Sequence, residues 1–453
     1  MGPDPAPISF VEPGLGNSSY LLDLGDGRAV VVDPTRDVSP YLAAADRLGL
    51  AIIHSVETHL HADFLTGSRE LAARGATVLA SRAAGIEWPH RGFAHGDEVD
   101  LGGLTLRALA TPGHTPEHLS WLLLDGGRPV GLFSGGALLV GAVARTDLIA
   151  PDQTEPLARR LWRALQETIL ALPDEVAVYP THGAGSFCAA VPGGERTTTI
   201  GRERASNPLL MVAGEDDFVA ALLAGYGSYP PYFLRLRERN RIGPEVLGTP
   251  FPPIPAIDVE ELRRHLDDGA VLIDARPVER WARGHPPGAL SIPLRPQFGS
   301  WLGWLVSDDR PLLFLVDAHQ DFADLVRQAR TIGYERLLGS LEGGMDAWRA
   351  ADLPVLTTKV VAASRLDRPV VDVRQAAEHA LAHIPGSLHV ELGSLEREWA
   401  ALPAGPVAVM CAHGERAATA ASLLERAGRT DVAVVVGGPD DWASAGRRLA
   451  SKG

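Results

Sequence analysis

The chain has 453 residues, 45% of them hydrophobic and 22% charged, with a formal net charge of −14. That length exceeds what one core serves and calls for roughly two to four domains. The acidic balance argues against nucleic acid and anionic membrane surfaces as partners. The two cysteines, Cys188 and Cys411, exclude a disulfide framework and suit a reducing, cytoplasmic setting.

The first residues, Met1 to Pro5, show no basic stretch followed by an apolar one, so no secretory signal is expected. The longest apolar stretch, 131–144, is broken by glycines and is too short to span a bilayer. In chain order, 29–33 reads as a buried strand, 41–48 as a helix and 51–56 as a strand. That strand leads into Thr58-His59-Leu60-His61-Ala62-Asp63-Phe64, which puts two imidazoles and a carboxylate on one loop. Strands are expected at 76–80 and 104–110, the second running into Thr111-Pro112-Gly113-His114-Thr115. Further strands fall at 120–124 and 130–133, and 157–172 has helical spacing. A fourth histidine stands in Tyr179-Pro180-Thr181-His182-Gly183. Imidazole suits zinc and iron, and carboxylate tips a site toward iron or manganese. His59, His61, Asp63, His114 and His182 are the candidate ligands, with His118 read as a supporting group. Strands interspersed with helices predict a sandwich of sheets flanked by helices.

Helical spacing returns at 218–226 and again in the basic segment 232–241, whose arginines read as a solvated helix face. The segment 249–256 is a stiff, proline-rich linker that closes a first domain of residues 1–248. An internal repeat lies beyond it. Asp274-Ala275-Arg276 and His285-Pro286-Pro287-Gly288 recur 98 residues later as Asp372-Val373-Arg374 and His383-Ile384-Pro385-Gly386. Gly343-Gly344 and Trp348 recur at an offset of 94 as Gly437-Gly438 and Trp442. Two related α/β domains, 257–358 and 359–453, with mainly parallel sheets, are therefore expected.

In the second copy an apolar strand runs into Cys411-Ala412-His413-Gly414-Glu415-Arg416, and a helical stretch follows. A cysteine between strand end and helix start can be held as a thiolate by successive backbone N–H groups and the positive helix end. Gly414 lets the loop curl toward the sulfur. Arg416 offers donors suited to a sulfur oxyanion, and His413 lies on the same loop. In the first copy the matching position is Asp317, which cannot carry a persulfide.

Cys-x-x-Gly-x-Arg resembles the active loop of rhodanese sulfurtransferases, with one residue fewer between cysteine and arginine than a phosphatase cradle uses. The histidine set resembles the metallo-β-lactamase superfamily, whose pattern is H-x-H-x-D-H, then a histidine, an aspartate and a last histidine. This chain departs from it twice, at Phe64 for a second-metal histidine and at Gly136 for the metal-binding aspartate. Together the modules are similar to persulfide dioxygenase–sulfurtransferase fusions, and 141–148 and 182–188 fit those better than the thioester hydrolases. The resemblance implies an αββα domain holding one Fe(II) that oxidises a thiol persulfide. A rhodanese domain would then exchange sulfane sulfur among thiosulfate, sulfite and thiols. It carries over His59 and His114 as iron ligands and leaves the third, at Gly136, missing. His61 or Asp63 would have to replace it, and a three-histidine set is more zinc-like. A pocket whose ligands had decayed would hold no metal and leave a sulfurtransferase with a silent module. Restoring an aspartate at Gly136 should raise metal occupancy if the pocket is otherwise preserved. Arg145 and Cys188 are candidate substrate contacts, and a homo-oligomer is left open.

Overall fold

The computed structural model describes residues 5–189 and 193–451. They form two compact units: one built on residues up to Pro252, with Arg330–Gly333, and one on the remainder from Pro253.

The first unit stacks two six-stranded sheets. One runs Ile8–Glu12, Asn17–Asp23, Arg28–Val32, Ala51–Val56, Thr77–Ser81 and Arg91–Phe93 in spatial as in chain order. The other runs Thr198–Thr199, Ala177–Pro180, Arg128–Gly135, Leu119–Asp125, Leu104–Ala110 and Glu98–Asp100. The alternation of side chains along a strand decides the layers. Val30 and Val32 face inward, where they meet Tyr20, Val56, Leu79, Leu106, Trp121, Leu123 and Phe133. Val31, between them, points the other way with Leu21 and Ala29 and packs against Tyr41, Ala44 and Ala45 of the helix Ser39–Leu48. Across the sandwich, Leu122, Leu124 and Leu132 pack on the helices Thr154–Ala164 and Glu215–Ala224. The result is the helix–sheet–sheet–helix order expected from the sequence. Strands ending at Val32, Val56, Ala110, Gly135 and Pro180 deliver Asp33, the His59 loop, His114, Gly136 and His182.

The second unit contains two five-stranded, all-parallel sheets of the same order. One is Ala256–Ile257, Leu337–Leu341, Leu312–Leu315, Val271–Asp274 and Leu290–Ser291. The other is Lys359–Ala362, Val432–Val436, Val407–Met410, Val370–Asp372 and Leu388–His389. Central strands such as Leu312–Leu315 and Val407–Met410 are apolar at every position because both faces are covered. The equivalent loops follow these two strands, at Asp317 and Cys411. Among the described residues no helix is long and apolar enough to cross a membrane.

Candidate functional sites: a histidine cluster and a cysteine loop

Three imidazoles converge at the strand ends of the first unit. Each has its Nδ1 edge occupied. His59 Nδ1 lies 2.8 Å from Thr58 Oγ1, which itself donates to Asp33 Oδ2 at 2.7 Å, so the Nδ1–H of His59 is the donor. His114 Nδ1 donates to the Arg145 carbonyl at 2.7 Å. His182 Nδ1 donates to Asn17 Oδ1 at 3.1 Å. These contacts leave a lone pair on each Nε2. Potential ligand atoms of His59, His114 and His182 lie within 4.8 Å of one another, all buried. The Nε2 atoms of His59 and His182 have no hydrogen-bond partner. Burial, reinforced by the neighbouring rings, keeps His59 well below the usual histidine range. Burial likewise lowers His114 to about 3, with His182 adding to the shift. Convergent imidazoles whose Nδ1 edges are tied to the protein are a donor set suited to a divalent metal ion.

His61 is not brought into this set. Its Nε2 lies 3.2 Å from both Asp33 Oδ1 and Glu57 Oε2, and its ring stacks on Phe64 with centroids 4.2 Å apart. Burial opposes its charge, but Asp33 and Glu57 outweigh burial and raise its pKa to about 10. Phe64, at a superfamily ligand position, thus covers a buried imidazolium. Asp33 organises the base of the site. It accepts the Thr58 amide at 2.8 Å and the hydroxyls of Thr58 and Thr181, and its backbone has φ +50°. Strain of this kind persists where surrounding bonds over-determine the position.

Asp63 also stands behind the triad. Its Oδ2 accepts from Asn17 Nδ2 at 2.7 Å and lies 3.4 Å from His182 Nδ1 and 3.6 Å from Cys188 Sγ, while Oδ1 has no hydrogen-bond partner. Cys188 is fully buried, and burial followed by the Asp63 charge pushes its thiol far above the usual range. Four of the five N–H donors of Arg145 are committed: it pairs with Asp147 through two nitrogens at 2.6 and 2.8 Å and donates to the carbonyls of Phe187 and Gly227. Its guanidinium is stacked over the Tyr226 and Tyr229 rings, and its backbone carbonyl orients His114.

Gly136 lies against His114. A Cβ there would be 2.5 Å from His114 Cδ2 and 3.1 Å from Ala144 Cβ. The Gly136 amide donates to His118 Nε2 at 3.0 Å, and His118 Nδ1 bonds Thr111 Oγ1 at 2.8 Å. Both nitrogens of His118 are therefore engaged within the protein. The helix Phe233–Ile242 differs from its reading as a solvated face. Arg237 pairs with the buried Glu117 at 3.0 Å. Asn240 is buried, donates to the carbonyls of His61 and Phe64 at 2.8 and 2.9 Å, and accepts the Thr66 amide at 2.9 Å. It clamps the histidine loop from outside the sheet.

In the second unit, Cys411 is 1% exposed and its Sγ accepts the Gly414 amide at 3.1 Å. Gly414 has φ +119°, a conformation disfavoured for other residues, and the helix Glu415–Arg426 starts immediately after it. His413 is exposed at the loop tip. Arg416 points to Glu378, with Nη1 and Nη2 at 2.6 and 2.8 Å from the two carboxylate oxygens. In the first copy Gln320 occupies the place of Gly414. Its Oε1 accepts the Asp317 amide at 2.8 Å and its Nε2 donates to the Ala275 carbonyl at 2.8 Å, filling the loop with its own side chain.

These two sites match known families. A metallo-beta-lactamase superfamily model matches residues 13–182, and a rhodanese-like domain model matches 258–351 and 358–445. The chain is a metallo-β-lactamase-superfamily protein carrying two rhodanese-like domains. Human mitochondrial persulfide dioxygenase ETHE1 is 32% identical over 218 residues, covering 47% of this chain and 79% of that protein. A hydroxyacylglutathione hydrolase of Methylococcus capsulatus is 34% identical over 173 residues, covering 37% and 62%. The crystal structure of a metallo-beta-lactamase from Staphylococcus aureus superposes with a TM-score of 0.66 at 30% identity, covering 75% of this chain and 99% of that one. The N-terminal module belongs to the persulfide dioxygenase ETHE1 family.

Proposed function

We propose that the chain processes sulfane sulfur at two sites, oxidising a low-molecular-weight thiol persulfide in the first unit and transferring sulfur through Cys411 in the second. The observation that carries this reading is the orientation of His59, His114 and His182, whose Nδ1 edges are tied to the protein and whose Nε2 edges are left to converge. A module kept only as a scaffold has no need to hold three imidazoles in that way. These residues would hold one Fe(II), which supplies the binding and activation of O2. The overall conversion is RSSH + O2 + H2O to RSH + sulfite + 2 H+. The protein's own part is to orient the three imidazoles, to exclude bulk water, and to keep His59 and His114 unprotonated at neutral pH. Hydrolysis of thioesters by two metals is less well supported, since Phe64 and Gly136 offer no ligand and His61 is held as a cation.

At Cys411 the thiolate would attack the outer sulfur of thiosulfate. A Cys–S–S bond forms, the S–S bond of the donor breaks, and sulfite leaves with the electron pair. The Gly414 amide and the start of the helix Glu415–Arg426 would stabilise the anion. The shared species, sulfite, sulfane sulfur and thiol, connect the two reactions chemically. The test measures iron per chain and O2 uptake with glutathione persulfide, alongside thiocyanate formation from thiosulfate and cyanide. About one iron and persulfide-dependent O2 uptake are expected. Metal-free protein that still forms thiocyanate would leave only the sulfurtransferase reading.

A further inference from the structure

The guanidinium that the sequence offers to the sulfur donor is already taken. Arg416 spends both terminal nitrogens on Glu378 and lies 5.9 Å above the Trp301 ring of the preceding copy. Arg374, on the neighbouring strand end, is held in the same bidentate way by Asp372 at 3.0 and 2.7 Å. Neither pair leaves net positive charge for an incoming anion.

A third guanidinium comes from the copy that lacks the cysteine. The helix Glu415–Arg426 packs against the strand Leu290–Ser291, with the Ser291 amide donating to Ser422 Oγ at 3.0 Å. Four residues beyond that strand stands Arg295. Its Nη1 is 3.8 Å from Glu415 Oε2, beyond hydrogen-bond length, and Glu415 adjoins the glycine whose amide holds Cys411. Its side chain is about three-quarters buried, which disfavours its charge, while Glu415 and Cys411 favour it. A partly buried arginine with unused donors next to the cysteine loop suits a sulfur oxyanion, because guanidinium binds such groups through two parallel N–H bonds.

We propose that Arg295, supplied by the cysteine-less copy, receives the anionic end of the sulfur donor at Cys411. It is a specificity residue: it offsets the charge of Glu415 and the charge that stays on the departing sulfite. The silent copy is thereby half of the donor site. This rests on the reading of Cys411 as sulfur acceptor, so the test needs one arm that does not depend on sulfur transfer.

That arm compares alkylation of Cys411 in the full chain by iodoacetate, an anion, and by iodoacetamide, which is neutral, followed by peptide mass. In Arg295→Gln the iodoacetate rate should fall about tenfold relative to iodoacetamide, the scale of local electrostatic attraction. Arg295→Lys should restore most of the ratio. In the thiosulfate–cyanide assay Arg295→Gln should raise KM for thiosulfate about tenfold, with kcat changed less than about threefold. An unchanged alkylation ratio overturns the proposal. So does an equal loss with both reagents, because that reports a distorted loop. A shifted ratio in a protein that transfers no sulfur retains Arg295 as an anion site and removes the sulfurtransferase reading. Failure of both reagents to label wild-type Cys411 overturns both.

Discussion

Replacing Gly136 tests how the metal pocket is built. From the sequence, aspartate at this position would complete a set of ligands. The packing around Gly136 argues the other way, since a Cβ at 136 would meet His114 Cδ2 at 2.5 Å, Cγ at 2.8 Å and Ala144 Cβ at 3.1 Å. Gly136 does not have a positive φ, so the cost of substitution is steric and not conformational. Overpacking of a close-fitted site costs about 1–3 kcal/mol. If His114 turns away to relieve it, the bond to the Arg145 carbonyl is lost, about 1 kcal/mol, together with one of three donors. Stiffening of the unfolded chain returns about 0.4–1 kcal/mol. A net loss of about 1–2 kcal/mol corresponds to a fall in Tm of roughly 2–8 °C for a unit of this size. Gly136→Ala and Gly136→Asp should therefore both melt earlier and carry less metal than the parent. The assay is thermal unfolding paired with metal per chain by mass spectrometry after purification in Fe(II). Parental stability and metal content in Gly136→Ala would refute the steric argument. Higher occupancy in Gly136→Asp would show that His114 yields its place readily.

Removing His182 should abolish stoichiometric metal binding, whereas His61→Ala should keep metal in the protein that folds. His61→Ala should cost about 3–5 kcal/mol, because Asp33 and Glu57 then stay buried without their cation; metal content and urea midpoints separate the two variants. Cys411→Ser should lower thiocyanate formation at least a thousandfold with Tm within about 2 °C, because oxygen replaces a sulfur nucleophile in an otherwise unchanged loop. Glu378 gives a pH signature. Burial pushes its carboxyl up, but the Arg416 pair wins and holds it below the usual carboxylate range. The unfolded state therefore binds the proton first. The pair's stabilisation is present above the ordinary carboxylate pKa of about 4.5 and is lost as pH falls through the lower folded value. Stability of the C-terminal unit measured from pH 6 to 3 should fall less steeply in Glu378→Gln; identical slopes would refute the linkage.

The cysteine loop was largely legible because its parts are contiguous: an apolar strand, Cys411, Gly414 and a helix start. Its arginine was legible as a residue but not as a role, since Glu378 lies 38 positions away on another helix. The histidine cluster was legible in its members and not in its selection. Whether an imidazole turns Nε2 inward depends on what holds Nδ1, and those partners, Asn17, Thr58 and the Arg145 carbonyl, come from separate segments. His61 looked like a ligand by spacing, yet its environment is set by Asp33, a strand-end residue that carries no motif signal. Asn240 was hidden among arginines; a buried amide on a basic helix shows only when the packed face is known. The short strands Arg91–Phe93, Glu98–Asp100 and Thr198–Thr199 give too few alternations to register as a pattern.

The glutamine that fills the loop of the first copy has a historical consequence. Cysteine at 317 alone would meet an amide side chain where the working copy keeps a bare, left-handed glycine, and the amides of 317 and 320 are already bonded, to the Gln320 side chain and the Asp317 carbonyl. Reversion needs at least two changes, neither useful without the other. Duplication followed by that plug acts as a ratchet, after which natural selection can reshape the inactive half as a wall for its neighbour's chemistry without recovering its own.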